Sequence, residues 1–221
     1  MSETTITVQG SSWIEHAPEQ ATVRVSISHD GAARQGVFDA TTEVAETLGT
    51  ALRGLHHPTG GPVVSWSSDR ISVWSDRPWN NEGLQLPLVY HAIIGVQASF
   101  TDFDALAGWV ERVATTSGVT VGSLEWELFD ATRDALLAQV RAEAVQDAAE
   151  KALIYARAAG LTSVRATAIA DPGMLGVSDS GGNDTLMLAG APRMLKATSS
   201  IEFTPAELRV SAVVDARFLA N

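Results

Sequence analysis

Apolar and polar residues alternate almost from the start of the chain: Ile6 and Val8 lie between Thr5, Thr7 and Gln9, the period of a half-buried strand. After a loop over 10–18, Val23, Val25 and Ile27 alternate with Thr22, Arg24, Ser26 and Ser28, which predicts a second strand with one apolar and one polar face. From Ala32 the period changes. Val37/Phe38, Thr41, Val44/Ala45, Leu48, Ala51/Leu52 and Leu55 recur at steps of three and four, the stripe of an amphipathic helix, and His57-Pro58 with Gly60-Gly61-Pro62 ends it. Residues 63–74 read as one strand whose parity slips near 67–70, because Val64 and Trp66 take even positions and Ile71 and Val73 odd ones; a bulge is expected there.

A turn-rich connection over 76–87 predicts a hairpin with a long strand on which Leu88, Tyr90, Ala92, Ile94, Val96, Ala98 and Phe100 share a face. Thr101 or Asp102 is a candidate cap for a helix that buries Phe103, Leu106, Val110 and Val113 and stops at Gly118. A strand is predicted over 119–129. Asp130 is the candidate cap of the longest helix, 131–159, whose face of Leu136/Leu137, Val140, Ala144, Ala148, Ala152 and Ala156 is mostly alanine and so permits close approach to a neighbour. Asp147 and Lys151 are spaced to pair along it, and Gly160 suits the left-handed position after its end. Strands are predicted over 164–170, 199–203 and 208–218, with a long loop over 171–196. The order is β-β-α-β-β-α-β-α-β-β-β. Hairpins outnumber crossovers, so the class is α+β: largely antiparallel sheet with helices on one face, as one domain over 1–221 or two closely packed subdomains. The two early strand-strand-helix units predict a weak structural repeat.

Charge narrows the function classes. With 15 Lys+Arg against 26 Asp+Glu in 221 residues, the net charge is −11 and no basic cluster is present, so nucleic acid is a poor partner. The chain has no cysteine, which excludes disulfides, thiolate metal sites and cysteine nucleophiles. Residues 1–10 carry an early acid and no apolar run, and no stretch has the length of a membrane span. With this start taken as native, a cytoplasmic location is expected.

Three segments resemble a known family. Ile6-Thr7-Val8-Gln9-Gly10 followed by Ala17-Pro18-Glu19-Gln20-Ala21-Thr22-Val23, the alanine-rich run from Arg141 to Ala152 that leads through Ala156 to Gly160-Leu161, and the closing strand from Leu208 to Phe218 are similar, in this order, to SIMPL-domain proteins, the domain of unknown function 541 family. Glu19 stands where the family more often has Asp, and many bacterial relatives carry a leader that this start lacks. The resemblance implies an α+β fold that self-associates, with roles in bacterial oxidative-stress defence or in kinase-pathway scaffolding in animals. It carries over no catalytic residue.

Candidate chemistry is sparse. His16, His29, His56, His57 and His91 contain no pair spaced i,i+2 on a strand or i,i+3/i,i+4 on a helix, so no local metal site is expected, although residues from distant segments can still converge. Gly176-Val177-Ser178-Asp179-Ser180-Gly181 lacks the spacing and following helix of a nucleophile elbow. Asn183-Asp184-Thr185 matches a glycosylation acceptor, which matters only in a secreted chain, and Gly60-Gly61 precedes Pro62, which removes an amide that a phosphate would need. Asp69, Asp76, Glu125, Glu127 and Asp130 read as surface acids before they read as a general acid/base pair. No catalytic, cofactor-binding or metal residue is therefore assigned, and no cofactor is expected. The remaining candidates are apolar side chains in predicted loops: Trp79, Leu84, Met174, Leu175, Leu186, Met187 and Leu188. They are candidate interface residues, with packing back on their own domain as the alternative for Trp79. The expectation is a non-enzymatic, self-associating scaffold or stress-related binding module; the alternative is an enzyme or small-ligand receptor whose site is assembled from distant segments.

Overall fold

The computed structural model describes residues 3–57, 60–79, 85–175 and 203–221. Its elements are β1 (Thr4–His16), β2 (Gln20–Gly31), α1 (Arg34–Leu55), β3 (Val63–Ser68), β4 (Ser72–Asp76), β5 (Val89–Phe100), α2 (Phe103–Ala114), β6 (Val119–Glu127), α3 (Asp130–Ala158), β7 (Val164–Ala170) and β8 (Leu208–Ala220). Every strand pairing is antiparallel, so the class is α+β as the periodicity predicts. The described residues fall into two compact units. One takes the N-terminal segment through Ala17, the stretch beginning at Leu128 and the segment from Ala206; the other is Pro18–Glu127, joined by residues up to Pro205.

In the first unit the sheet order is β1-β8-β7 and α3 lies on one face. Val8, Val214, Ala216 and Phe218 meet Ala144, Ala148 and Ala152 in one core cluster. The strand has to yield where the helix comes closest: a Cβ built on Gly10 would lie 2.7 Å from the Ala148 nitrogen and 2.8 Å from its Cβ. Glycine above and alanine below together permit that approach. The helix ends in a Schellman motif, with Gly160 at φ 79°, Leu161 N–H donating to the Ala156 carbonyl at 2.9 Å and Gly160 N–H to that of Arg157 at 3.0 Å.

In the second unit β5 lies between β2 on one side and β3 and β4 on the other, and β6 flanks β2. The core joins Ala21, Val23, Val25 and Ile27 of β2, Val96, Ala98 and Phe100 of β5, Leu48 and Leu52 of α1, and Leu106, Trp109, Val110 and Val113 of α2. Asp102 caps α2 as expected, its carboxylate accepting from the Asp104 and Ala105 amides at 3.0 and 2.9 Å.

Local expectations change in five places. Residues 63–74 form two strands, broken at 69–71, and both pair with β5; the Asp69 amide bonds the Gly95 carbonyl at 2.8 Å, which turns the chain there. Phe129, not Asp130, is the N-cap of α3, and Asp130 is already helical and binds Arg133 at 2.6 Å. Strand β1 continues through the expected loop to His16 because β8 pairs with it along its whole length. The two strand-strand-helix units are no repeat in the sheets, since β1 pairs with β8 while β2 pairs with β5. Of the strand expected at 199–203, only Phe203 lies within the described residues; it is not in a strand and packs on Trp126 with ring centroids 6.1 Å apart.

Candidate functional site

Alternation along β2 and β5 buries one row of side chains under the helices and leaves the other on the opposite face. That second row pairs Thr22 with Ser99, both buried, and then Arg24 with Gln97, Ser26 with Gly95, Ser28 with Ile93 and Asp30 with His91. On the other side of β5, Trp74 of β4 is the direct partner of His91. Register alone thus places an acid, a histidine and an indole side by side at one end of the sheet. His91 Nδ1 lies 2.7 Å from Asp30 Oδ1 and Nε2 lies 3.1 Å from Asp76 Oδ1, while its ring stacks on Trp74 with centroids 5.2 Å apart and an interplanar angle of 19°. With both nitrogens facing carboxylates the doubly protonated ring is favoured, and the hydrogen bond to Asp30, then that to Asp76, raises the His91 pKa above its ordinary 6.5. The two carboxylates sit on opposite nitrogens, so this arrangement clamps a proton instead of offering a free base.

The other histidines have separate local partners. His29 Nδ1 is 3.2 Å from Thr41 Oγ1, His56 Nδ1 donates to the Val63 carbonyl at 2.9 Å and His16 Nδ1 to that of Ala17 at 2.7 Å. Among the described residues there is no group of three or more His, Asp or Glu side chains able to hold a metal ion. The candidate acids are dispersed. Glu127 accepts from Thr22 and Gln20 at 2.9 and 3.1 Å, Glu125 lies 3.8 Å from Arg24, and Asp69 occupies the space that a side chain at Gly95 would need. Among these acids, Glu125 faces Arg24 of β2 and Asp76 faces His91 of β5, and only the second of these described pairs joins a further acid, Asp30. Asp30, its counterpart across His91, is absent from the sequence candidates because nothing in its neighbourhood marks it; the signal is the β2–β5 register.

On the first unit, the sheet face away from α3 holds a cleft of about 260 Å³ between β1, β8 and the turn at 171–175. Asp215 accepts from Gly173 N–H at 2.8 Å and from Gln9 Nε2 at 3.1 Å, and Arg217 donates to the Leu175 carbonyl at 3.1 Å. These bonds fix the start of the predicted long loop. A larger, open cleft of about 670 Å³ lies on the second unit between Arg34, Gln35 and Phe38 of α1 and Ile71, Ser72 and Val73 at β4.

The outer strand β1 is closed along its middle by α3. Ser11 N–H donates to Asp147 Oδ2 at 2.8 Å, Lys151 Nζ donates to the Gln9 carbonyl at 3.1 Å, and Lys151 and Asp147 bond each other at 2.7 Å. The expected i,i+4 pair therefore also occupies the strand's outward backbone groups. The Lys151 ammonium, then the Ser11 amide, lowers the Asp147 pKa below its ordinary 3.8. Glu143 is lowered too, by the Ser12 hydroxyl and then the Gln139 amide.

Of the sequence-predicted interface residues, Trp79 is 84% exposed just after β4 and Met174 is 74% exposed in the 171–175 turn, where Leu175 is half-buried. Leu84, Leu186, Met187 and Leu188 lie outside the described residues, as do the Gly176–Gly181 and Asn183–Thr185 patterns. Trp74, which the sequence places simply in a strand, is 46% exposed. Trp13, expected in a loop, is on β1 with the Arg209 guanidinium 4.3 Å above its ring.

Two antiparallel sheets with helices on one face, and polar and aromatic side chains on the other, define an α+β protein whose distinctive chemistry lies on open sheet surfaces and strand edges. The chain belongs to the SIMPL family, described as protein of unknown function (DUF541), whose family model matches residues 6–218. A comparison with curated proteins returned no match. Among the described residues no helix is long and apolar enough to cross a membrane.

Proposed function

We propose that the chain is a non-enzymatic, self-associating module that serves as a scaffold or a stress-related binding protein. The supporting observation is the aromatic surface at β4 and just beyond it: Trp74 on an outer strand and Trp79 after it are both open to water. Large aromatic side chains in such positions are the usual anchors of protein interfaces. Light scattering at micromolar concentration is expected to give a mass that is a multiple of the 23.3 kDa chain. A strict monomer overturns the self-association.

A second reading, a small-ligand receptor or enzyme with a site assembled from distant segments, draws on the convergence of Asp30, Asp76 and His91 from three strands. It expects the His91 ring resonances to shift when a panel of small cationic, neutral and anionic compounds is added. Unmoved resonances count against it.

A further inference from the structure

The outer strands of the two sheets are not equally available for pairing. Along the middle of β1, Asp147 and Lys151 occupy the Ser11 amide and the Gln9 carbonyl. Three others carry a bulge that breaks the ladder: β3 between Val63 and Ser65, β6 opposite the step from Val23 to Val25, and β7 between Ala166 and Ala168. Sealing and bulging are both ways in which proteins keep an edge from pairing with another chain. Among the described residues strand β4 shows neither. Its five residues run in unbroken register with β5, and among the described residues no other strand lies on its far side. Its sequence, Ser-Val-Trp-Ser-Asp, also lacks the Lys or Pro that commonly guards an edge.

We propose that β4 is the self-association strand, pairing antiparallel with β4 of a second copy about a two-fold axis at Trp74. This rests on the self-association proposed above and specifies its interface. A second copy is the occupant because the strand is complementary to itself. The register that uses all five residues sets Trp74 opposite the partner's Trp74, Val73 opposite the partner's Ser75 and Ser72 opposite the partner's Asp76. In a chain of net charge −11 a self-pairing strand must avoid acid facing acid, and this register does so. The anchor is already positioned in the single chain. The Trp74 ring is stacked on His91, and Asp30 and Asp76 hold His91, so little side-chain freedom is left to lose on association. An isologous pairing of this kind closes on itself and does not propagate as a filament through the same edge.

Because the chain has no cysteine, single cysteines report the register directly. Directly opposed residues in an antiparallel pair bring their Cβ atoms to about 4.5–5.5 Å, within reach of a disulfide after slight adjustment. Mild oxidation of an equal mixture of Val73→Cys and Ser75→Cys chains, which keep Trp74 and oppose the two thiols in this register, is expected to yield a covalent dimer, whereas Ile169→Cys, on the bulged β7, stays uncrosslinked. Independently, Trp74→Lys, checked for folding by circular dichroism, is expected to raise the dimer dissociation constant at least about tenfold, as for a central aromatic anchor. If the wild type associates but the mixture of Val73→Cys and Ser75→Cys chains does not crosslink and Trp74→Lys associates normally, the β4 interface is overturned while self-association stands. A wild-type chain that is a strict monomer, or whose β4 edge takes up an unrelated extended peptide in place of a second copy, overturns the inference; the strict monomer also removes the reading on which it rests.

Discussion

A methyl group added at Gly10 would fall on the backbone of α3, at the Ala144 carbonyl and the Ala148 nitrogen. Backbone cannot rotate away as a flexible side chain can, so Gly10→Ala forces strand and helix apart. Overpacking of this kind costs about 1–3 kcal/mol, and a urea unfolding midpoint lowered by that cost divided by the slope, with the slope itself unchanged, is the expected outcome. Cooperation at His91 is electrostatic. Its folded pKa is raised, so the contribution of the Asp30–His91–Asp76 cluster to stability is complete below 6.5 and is lost as pH rises through the folded value. A titration followed by ring proton resonances is expected to place His91 above 6.5, with a larger drop in Asp30→Asn than in Asp76→Asn. Equal, ordinary values in all three proteins contradict the clamp. The glycine was legible in the sequence as part of a strand-and-glycine opening, whereas the clamp was not, because Asp30 is 61 residues from His91 and only the register joins them.

Elements repeat the lesson on a larger scale. The stripes of α1 and α2, the Asp102 cap and the Gly160 stop follow from spacing of three and four residues and from local backbone chemistry, and all are found where the pattern puts them. Strand ends are different. Polar Ser11 and Ser12 and the aromatic Trp13 look like loop, yet β8 supplies a partner for each of them, and pairing overrides propensity. The same holds for the Asp147–Lys151 pair, which reads as a weak surface interaction until the β1 backbone is seen beside it. Hydrogen bonds to charged groups contribute about 1.5–3 kcal/mol, so Asp147→Ala is expected to accelerate amide exchange at Ser11 by roughly tenfold or more. The pH dependence has the opposite sign to that of His91: the Asp147 pKa is lowered, so its contribution is present above 3.8 and is lost as pH falls through the folded value.

For the whole molecule, the sequence by itself determined the α+β class, the helices with the Asp102 cap and the Gly160 stop, the absence of cysteine chemistry and membership in the SIMPL family, because each depends on residue types and on periods shorter than a dozen residues. Tertiary structure alone decided how the strands divide between two sheets: β1 and β2 are adjacent in sequence, yet β1 pairs with β8 and β2 with β5. It also decided which edge is sealed by a helix, which edges are bulged and which histidine meets two acids. Those outcomes rest on register between segments that the chain brings together only on folding, and a period of two looks the same whichever strand lies alongside.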